Sequence, residues 1–189
     1  MTKGTKVLGS AIGDREYLDS FINEKIENWL NLLSNLKTVS VDNPHDAFIA
    51  LIQAIQSKWS FLQRTCKSNF NSYDSLTSFL VNSTIPSLTG VTLDDIRMEM
   101  MFLPLSMGGL GIQSPNRNAD AEFARCLRMA RPLLDGFTGN ELTLRQYGIA
   151  NEINKEKTYT DKISKQSIIS KMVNDNKGLE FASINKASS

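Results

Sequence analysis

Arg15 to Leu36 reads REYLDSFINEKIENWLNLLSNL, and its apolar positions decide the fold. Leu18, Ile22, Ile26, Trp29, Leu33 and Leu36 recur at steps of four and three, which stacks them on one face of a helix. A helix with a single apolar stripe needs a partner to bury it, and the next stretch supplies one. Asn43, Pro44 and Asp46 read as an N-cap, a first-turn proline and an acid at the positive end of a second helix. Phe48, Leu51, Ile52, Ile55, Trp59 and Leu62 then carry its buried face to about Arg64.

Working outward, a polar stretch from Lys67 to Ser72 precedes a third helix over Tyr73 to Leu88, with Leu76, Leu80 and Ile85 inward. Pro86 is expected to kink or end it, because proline lacks an N–H and clashes with the preceding turn. Gly90 permits a turn, and Thr92 with Asp95 reads as a capping pair for a helix from Leu93 to about Phe102. Leu103 to Asn118 is a loop built on Pro104, Gly108, Gly109, Gly111 and Pro115. Asp120 to Ala130 reads as a helix with Phe123, Leu127 and Ala130 inward, ending before Pro132. On the N-terminal side, Thr5 to Ile12 (TKVLGSAI) is a single β-compatible strand with no evident partner, expected to be loosely held. Ile153 to Ser189 carries seven lysines and one modest helix around Ile163 to Val173. The expected fold is mainly α, a helical bundle with a short N-terminal strand and a Gly/Pro loop at 103–118. It divides into residues 1–14, a helical domain over 15–150 and a Lys/Ser/Asn-rich extension over 151–189.

The 189 residues are 41% hydrophobic and 22% charged, which suits one compact domain, or one plus an appendage. Twenty-one Lys+Arg against twenty Asp+Glu leave a net charge of +1, so any basic surface must be local. Cys66 and Cys126 have no CxxC partner and His45 is the lone histidine, which excludes a zinc or disulfide scaffold. Neither a signal peptide nor a membrane span is readable, so the expectation is a soluble intracellular protein, cytoplasmic or nuclear, with no membrane partner.

Few motifs carry chemistry. Asp94-Asp95 is the only adjacent acid pair, but it lies in a first helical turn, where the helix dipole favours acids without any metal. Gly108, Gly109 and Gly111 lack the Gly-Lys-Ser/Thr ending of a phosphate loop and read as a tight backbone turn. His45, Cys66 and Cys126 stand in no nucleophile context. No cofactor is implied. The informative feature is charge: between Asp46 and Asp74 there is no acid, while Lys58, Arg64 and Lys67 accompany Trp59 and Phe61. Such a local patch suits phosphates with aromatic packing, and equally suits a solvated helix face. Arg125, Arg128 and Arg131 form a second basic row, offset by Asp120 and Glu122.

Several segments together are similar to one known pattern. KVLGSAIG (Lys6 to Gly13), KIENWLNLLSNL (Lys25 to Leu36), PHDAFIALIQAIQSKWSFLQRT (Pro44 to Thr65), IPSLTG (Ile85 to Gly90) and FLPLSMGGLGI (Phe102 to Ile112) occur in this order across most of the chain. They resemble the region downstream of the catalytic palm in reverse transcriptases of animal retrotransposons. The resemblance implies that Leu8 and Gly9 belong to a primer-grip-like hairpin. It implies that the helices form a thumb, which holds a template-primer duplex, RNA or RNA–DNA, for a palm and fingers this chain lacks. Ala11 stands where the pattern often has proline. Ser106 stands where an arginine commonly precedes the glycine turn, so no anion contact by that loop is implied. The final INKASS resembles the start of a segment that runs on to a Trp-Leu pair, which gives the expectation of a chain cut short at both ends. Lys58, Arg64 and Lys67 are candidates for backbone contacts on physical grounds and not by the family pattern. The resulting expectation is a non-catalytic, duplex-positioning fragment. The alternative is a helical protein-interaction module, or decayed reading frame, without nucleic-acid binding.

Overall fold

The computed structural model describes residues 3–68, 70–117 and 119–137, with 155, 166 and 170 as isolated helical positions. The described residues are mainly helical, with one small antiparallel sheet. They fall into two compact units, Met1–Met98 with Ile112–Ala124, and Glu99–Gly111 with the chain from Arg125 onward. The helix expected around Ile163 to Val173 lies outside the described residues except at Gln166 and Ser170, both helical.

The first unit opens with two strands, β1 (Gly4–Val7) and β2 (Ser10–Gly13), paired antiparallel from Gly4↔Gly13 to Val7↔Ser10. This corrects the expectation of a strand without a partner: Thr5 to Ile12 folds back on itself and finds its partner within eight residues. The device is the two-residue turn at Leu8 and Gly9, whose φ values of 48° and 84° are both positive, as the twist-matched hairpin turn requires. Ala11 is buried, while Lys3 and Lys6 pair with Glu16 and Glu24 of the following helix. Lys6 and Lys25 also place their ammonium groups 5.4 and 5.2 Å from the Phe21 ring.

Helix α1 spans Arg15–Asp42, capped by the Asp14 carboxylate, which accepts from Tyr17 N at 2.9 Å. It runs six residues past Leu36 because Ser40 continues the buried stripe, linked to Ser87. Phe21, Ile22, Ile26, Trp29, Leu33 and Leu36 form its buried face. Asn43 does not act as the expected side-chain cap. Its N–H closes α1 on Val39 O and its carbonyl accepts Ala47 N, so the joint is made by backbone alone. Helices α2 (Pro44–Ala50) and α3 (Gln56–Thr65) follow, joined by a π turn over Leu51–Ile55. Trp29 and Trp59 meet edge-on with ring centroids 6.5 Å apart.

After a 3-10 turn at Phe70–Tyr73 comes α4 (Asp74–Phe79), then a second π turn at Leu80–Thr84, then α5 (Ile85–Thr89). Pro86 was expected to kink or end this helix, yet the helical path continues to Thr89. The π turn explains why: Ile85 N–H reaches five residues back to Leu80 O, which leaves Pro86 in a first-turn position where a missing N–H costs little. Gly90, at φ 69°, then ends α5 by donating to Pro86 O. Leu51, Trp59, Leu62, Tyr73, Leu76, Leu80 and Ile85 are enclosed with the α1 face as the core. Helix α6 (Asp95–Met101) is capped by Asp94, whose carboxylate accepts Arg97 N at 2.8 Å, so Asp94 takes the role expected of Thr92.

In the second unit, Glu99–Gly111 contains a 3-10 turn at Leu105–Met107 followed by the glycine turn. Helix α7 (Ala119–Phe137) begins in the first unit and ends in the second. It runs through Pro132 instead of stopping before it, losing the one hydrogen bond a proline cannot donate in a 19-residue helix. Leu127, expected inward, is 52% exposed.

Candidate nucleic-acid interface

The outer side of α3 follows from helical geometry. Gln56, Trp59, Leu62 and Gln63 are the buried residues of α3, and at about 100° per residue the opposite side centres on Phe61. Lys58 and Arg64 lie on either side of Phe61, about 120° from each other around the axis, so they straddle it. Both cations are exposed and Phe61 is 39% exposed. Arg64 donates Nε to Ser60 O at 3.2 Å, which holds the guanidinium along the helix and leaves four donors. Lys67 follows Cys66, the extended residue that ends α3, and is exposed. None of the three is ion-paired among the described residues.

The hairpin meets this surface. Gly9 lies against Phe61, since a Cβ there would sit 3.6 Å from Phe61 Cε1. Ser10 Oγ donates to Thr65 O at 3.3 Å. Leu8, beside Gly9, is 94% exposed at a backbone angle unusual for leucine. The structure thus brings Leu8, Gly9, Phe61 and the α3 cations into one region of the first unit. Such a surface offers phosphate partners beside apolar and aromatic contact area.

The glycine cluster belongs to the second unit. Gly108 and Gly111 have φ of 79° and 67°, and a Cβ on Gly109 would fall 2.2 Å from Leu103 O. Positive φ and a close backbone approach of this kind are what glycine tolerates at a turn. His45 is exposed, Cys66 buried and Cys126 half-buried. Burial pushes the Cys66 thiol up, with Asp19 adding to the rise and Arg15 opposing it.

One polar arrangement was not anticipated. Gln56 and Gln63 are buried on α3 beside Trp59 and, with Ser60, hold the non-helical segment 112–116. Two glutamines seven residues apart on an apolar-flanked face were the available signal.

No protein-family model, curated protein or solved structure matches this chain.

Proposed function

We propose that this chain is the thumb-like part of a retroelement reverse transcriptase and positions an RNA or RNA–DNA duplex without performing chemistry. The observation that carries the reading is the seating of the Leu8–Gly9 hairpin tip against Phe61, between Lys58 and Arg64. Phosphates would be met by Lys58, Arg64 and Lys67, and the sugar edge of the groove by Leu8 and Phe61. The order of the segments resembling the family supports the assignment, and so does the absence of any acid between Asp46 and Asp74. Sequence-independent contacts of this kind give weak, salt-sensitive binding.

The test is the slope of log affinity against log salt for an RNA–DNA duplex. Replacing Lys58, Arg64 and Lys67 by glutamine should reduce that slope by roughly two to three, one for each neutralised phosphate. An unchanged slope would favour the protein-interaction alternative.

A further inference from the structure

Neither the turn it occupies nor packing accounts for Leu8. Its φ of 48° lies in the left-handed region, an outlier for a bulky side chain, and no other non-glycine among the described residues shares a positive φ. At 94% it is also the most exposed of the large apolar side chains described. A residue that strains the backbone and buries nothing within its own chain points to a contact outside it. The tip is braced as well. Gly9 backs onto Phe61, and Ser10 Oγ donates to Thr65 O at 3.3 Å. Asp14 N closes the base of the hairpin on Lys3 O at 2.9 Å, and Lys6 pairs with Glu24 at 3.1 Å. Gly4 and Gly13 bring both strands so near the Tyr17 ring that a Cβ on either would overlap it. Leu8 therefore projects from a support tied to both α1 and α3.

The surroundings select the partner. Lys58 and Arg64 are about 9 Å apart along the helix axis and about 120° apart around it, so they reach to opposite sides of Phe61. Two exposed cations bracketing an apolar projection suit the two phosphate chains that border a groove, with the projection aimed between them. Resting on the duplex reading given above, we propose that Leu8 is a wedge that enters one base step from the groove, and that the preferred partner is a duplex weakened at one step by a mismatch. In an RNA-containing duplex the wide, shallow minor groove is the open route to the bases. Apolar side chains inserted from that groove unstack the step and kink the duplex. Opening costs least where pairing is already lost, so a braced leucine converts a mismatch into affinity.

The full chain is titrated at fixed salt with two RNA–DNA duplexes of equal length, one fully paired and one with a central mismatch, each carrying a fluorescent adenine analogue beside the central step. The wedge predicts roughly tenfold tighter binding of the mismatched duplex and a fluorescence rise in the paired one as its step unstacks. Leu8→Met keeps an apolar tip and should retain both effects. Leu8→Asn, a residue at home in this turn, should bind the two duplexes alike and leave the fluorescence unchanged. Replacing Lys58, Arg64 and Lys67 by glutamine should weaken both duplexes by the same factor and keep the preference. Equal binding of the two duplexes by the wild-type chain, or a preference that survives Leu8→Asn, overturns the wedge and leaves the duplex reading standing. Binding of neither duplex overturns the duplex reading and the wedge with it.

Discussion

On the proposed reading, folding and duplex contact pull in different directions at Leu8. A turn with two positive φ values suits Asn-Gly, and leucine there costs conformational energy while exposing nearly its whole side chain. If the tip serves contact with a duplex, Leu8→Asn should stabilise the chain by about 0.5–1 kcal/mol in denaturant unfolding and still weaken duplex binding. Gly9→Val, forced to φ 84°, should cost about 1–3 kcal/mol. Tyr73 offers a second test at this scale. Burial raises its phenol from 10.0 to about 12, with Ser68 opposing the rise and Cys66 adding to it. Between those pH values the folded chain keeps the proton that the unfolded chain releases. Stability therefore falls as pH rises through that window, by up to about 2–3 kcal/mol in all. Tyr73→Phe should remove that part of the alkaline slope, measured by urea unfolding at pH 9 to 12.

Among the elements, α3 has three working faces: an apolar one toward Trp29, a polar one gripping residues 112–116, and the cationic one around Phe61. Removing Gln63 leaves Pro115 O buried without its donor, so Gln63→Ala should destabilise by about 1–3 kcal/mol. Ser57→Ala, on the exposed side of the same helix, should stay within about 0.5 kcal/mol in the same unfolding assay. The long apolar periods of α1 and α3 were legible because Ile22, Ile26, Trp29, Trp59 and Leu62 keep a helical repeat over several turns. The hairpin was not legible in the residue pattern, since four-residue strands joined by Leu-Gly lack both length and the usual turn residues; only the family resemblance pointed to one at Leu8 and Gly9. The π turns escaped for another reason: one extra residue shifts helical phase without changing composition, so Pro86 read as a break. The glutamine grip was hidden because polar residues at helical spacing ordinarily face water.

Taken whole, the molecule carries a net charge of +1, so attraction to a polyanion has to come from one region of its surface. The acid-free run from Ala47 to Tyr73 and the α3 cations were readable as such a region. Their meeting with the Leu8–Gly9 tip was not, because it depends on a hairpin folding back across more than fifty residues of sequence to touch Phe61. Among the described residues no helix is long and apolar enough to cross a membrane, and no three His, Cys, Asp or Glu side chains gather as a metal site.

The proposed duplex-facing surface, made by the hairpin tip and the outer side of α3, is open to photocrosslinking. A benzophenone side chain is placed at Leu8 in one preparation and at Val41 in another, both highly exposed at 94% and 78%. Val41 lies near the far end of α1, roughly 40 Å along the helix from Arg15 at 1.5 Å per residue. With a ten-base-pair RNA–DNA duplex, the account predicts crosslinking from Leu8 that is lost when Lys58, Arg64 and Lys67 are glutamine, and little from Val41. Equal crosslinking from both positions, or none from Leu8, would contradict it.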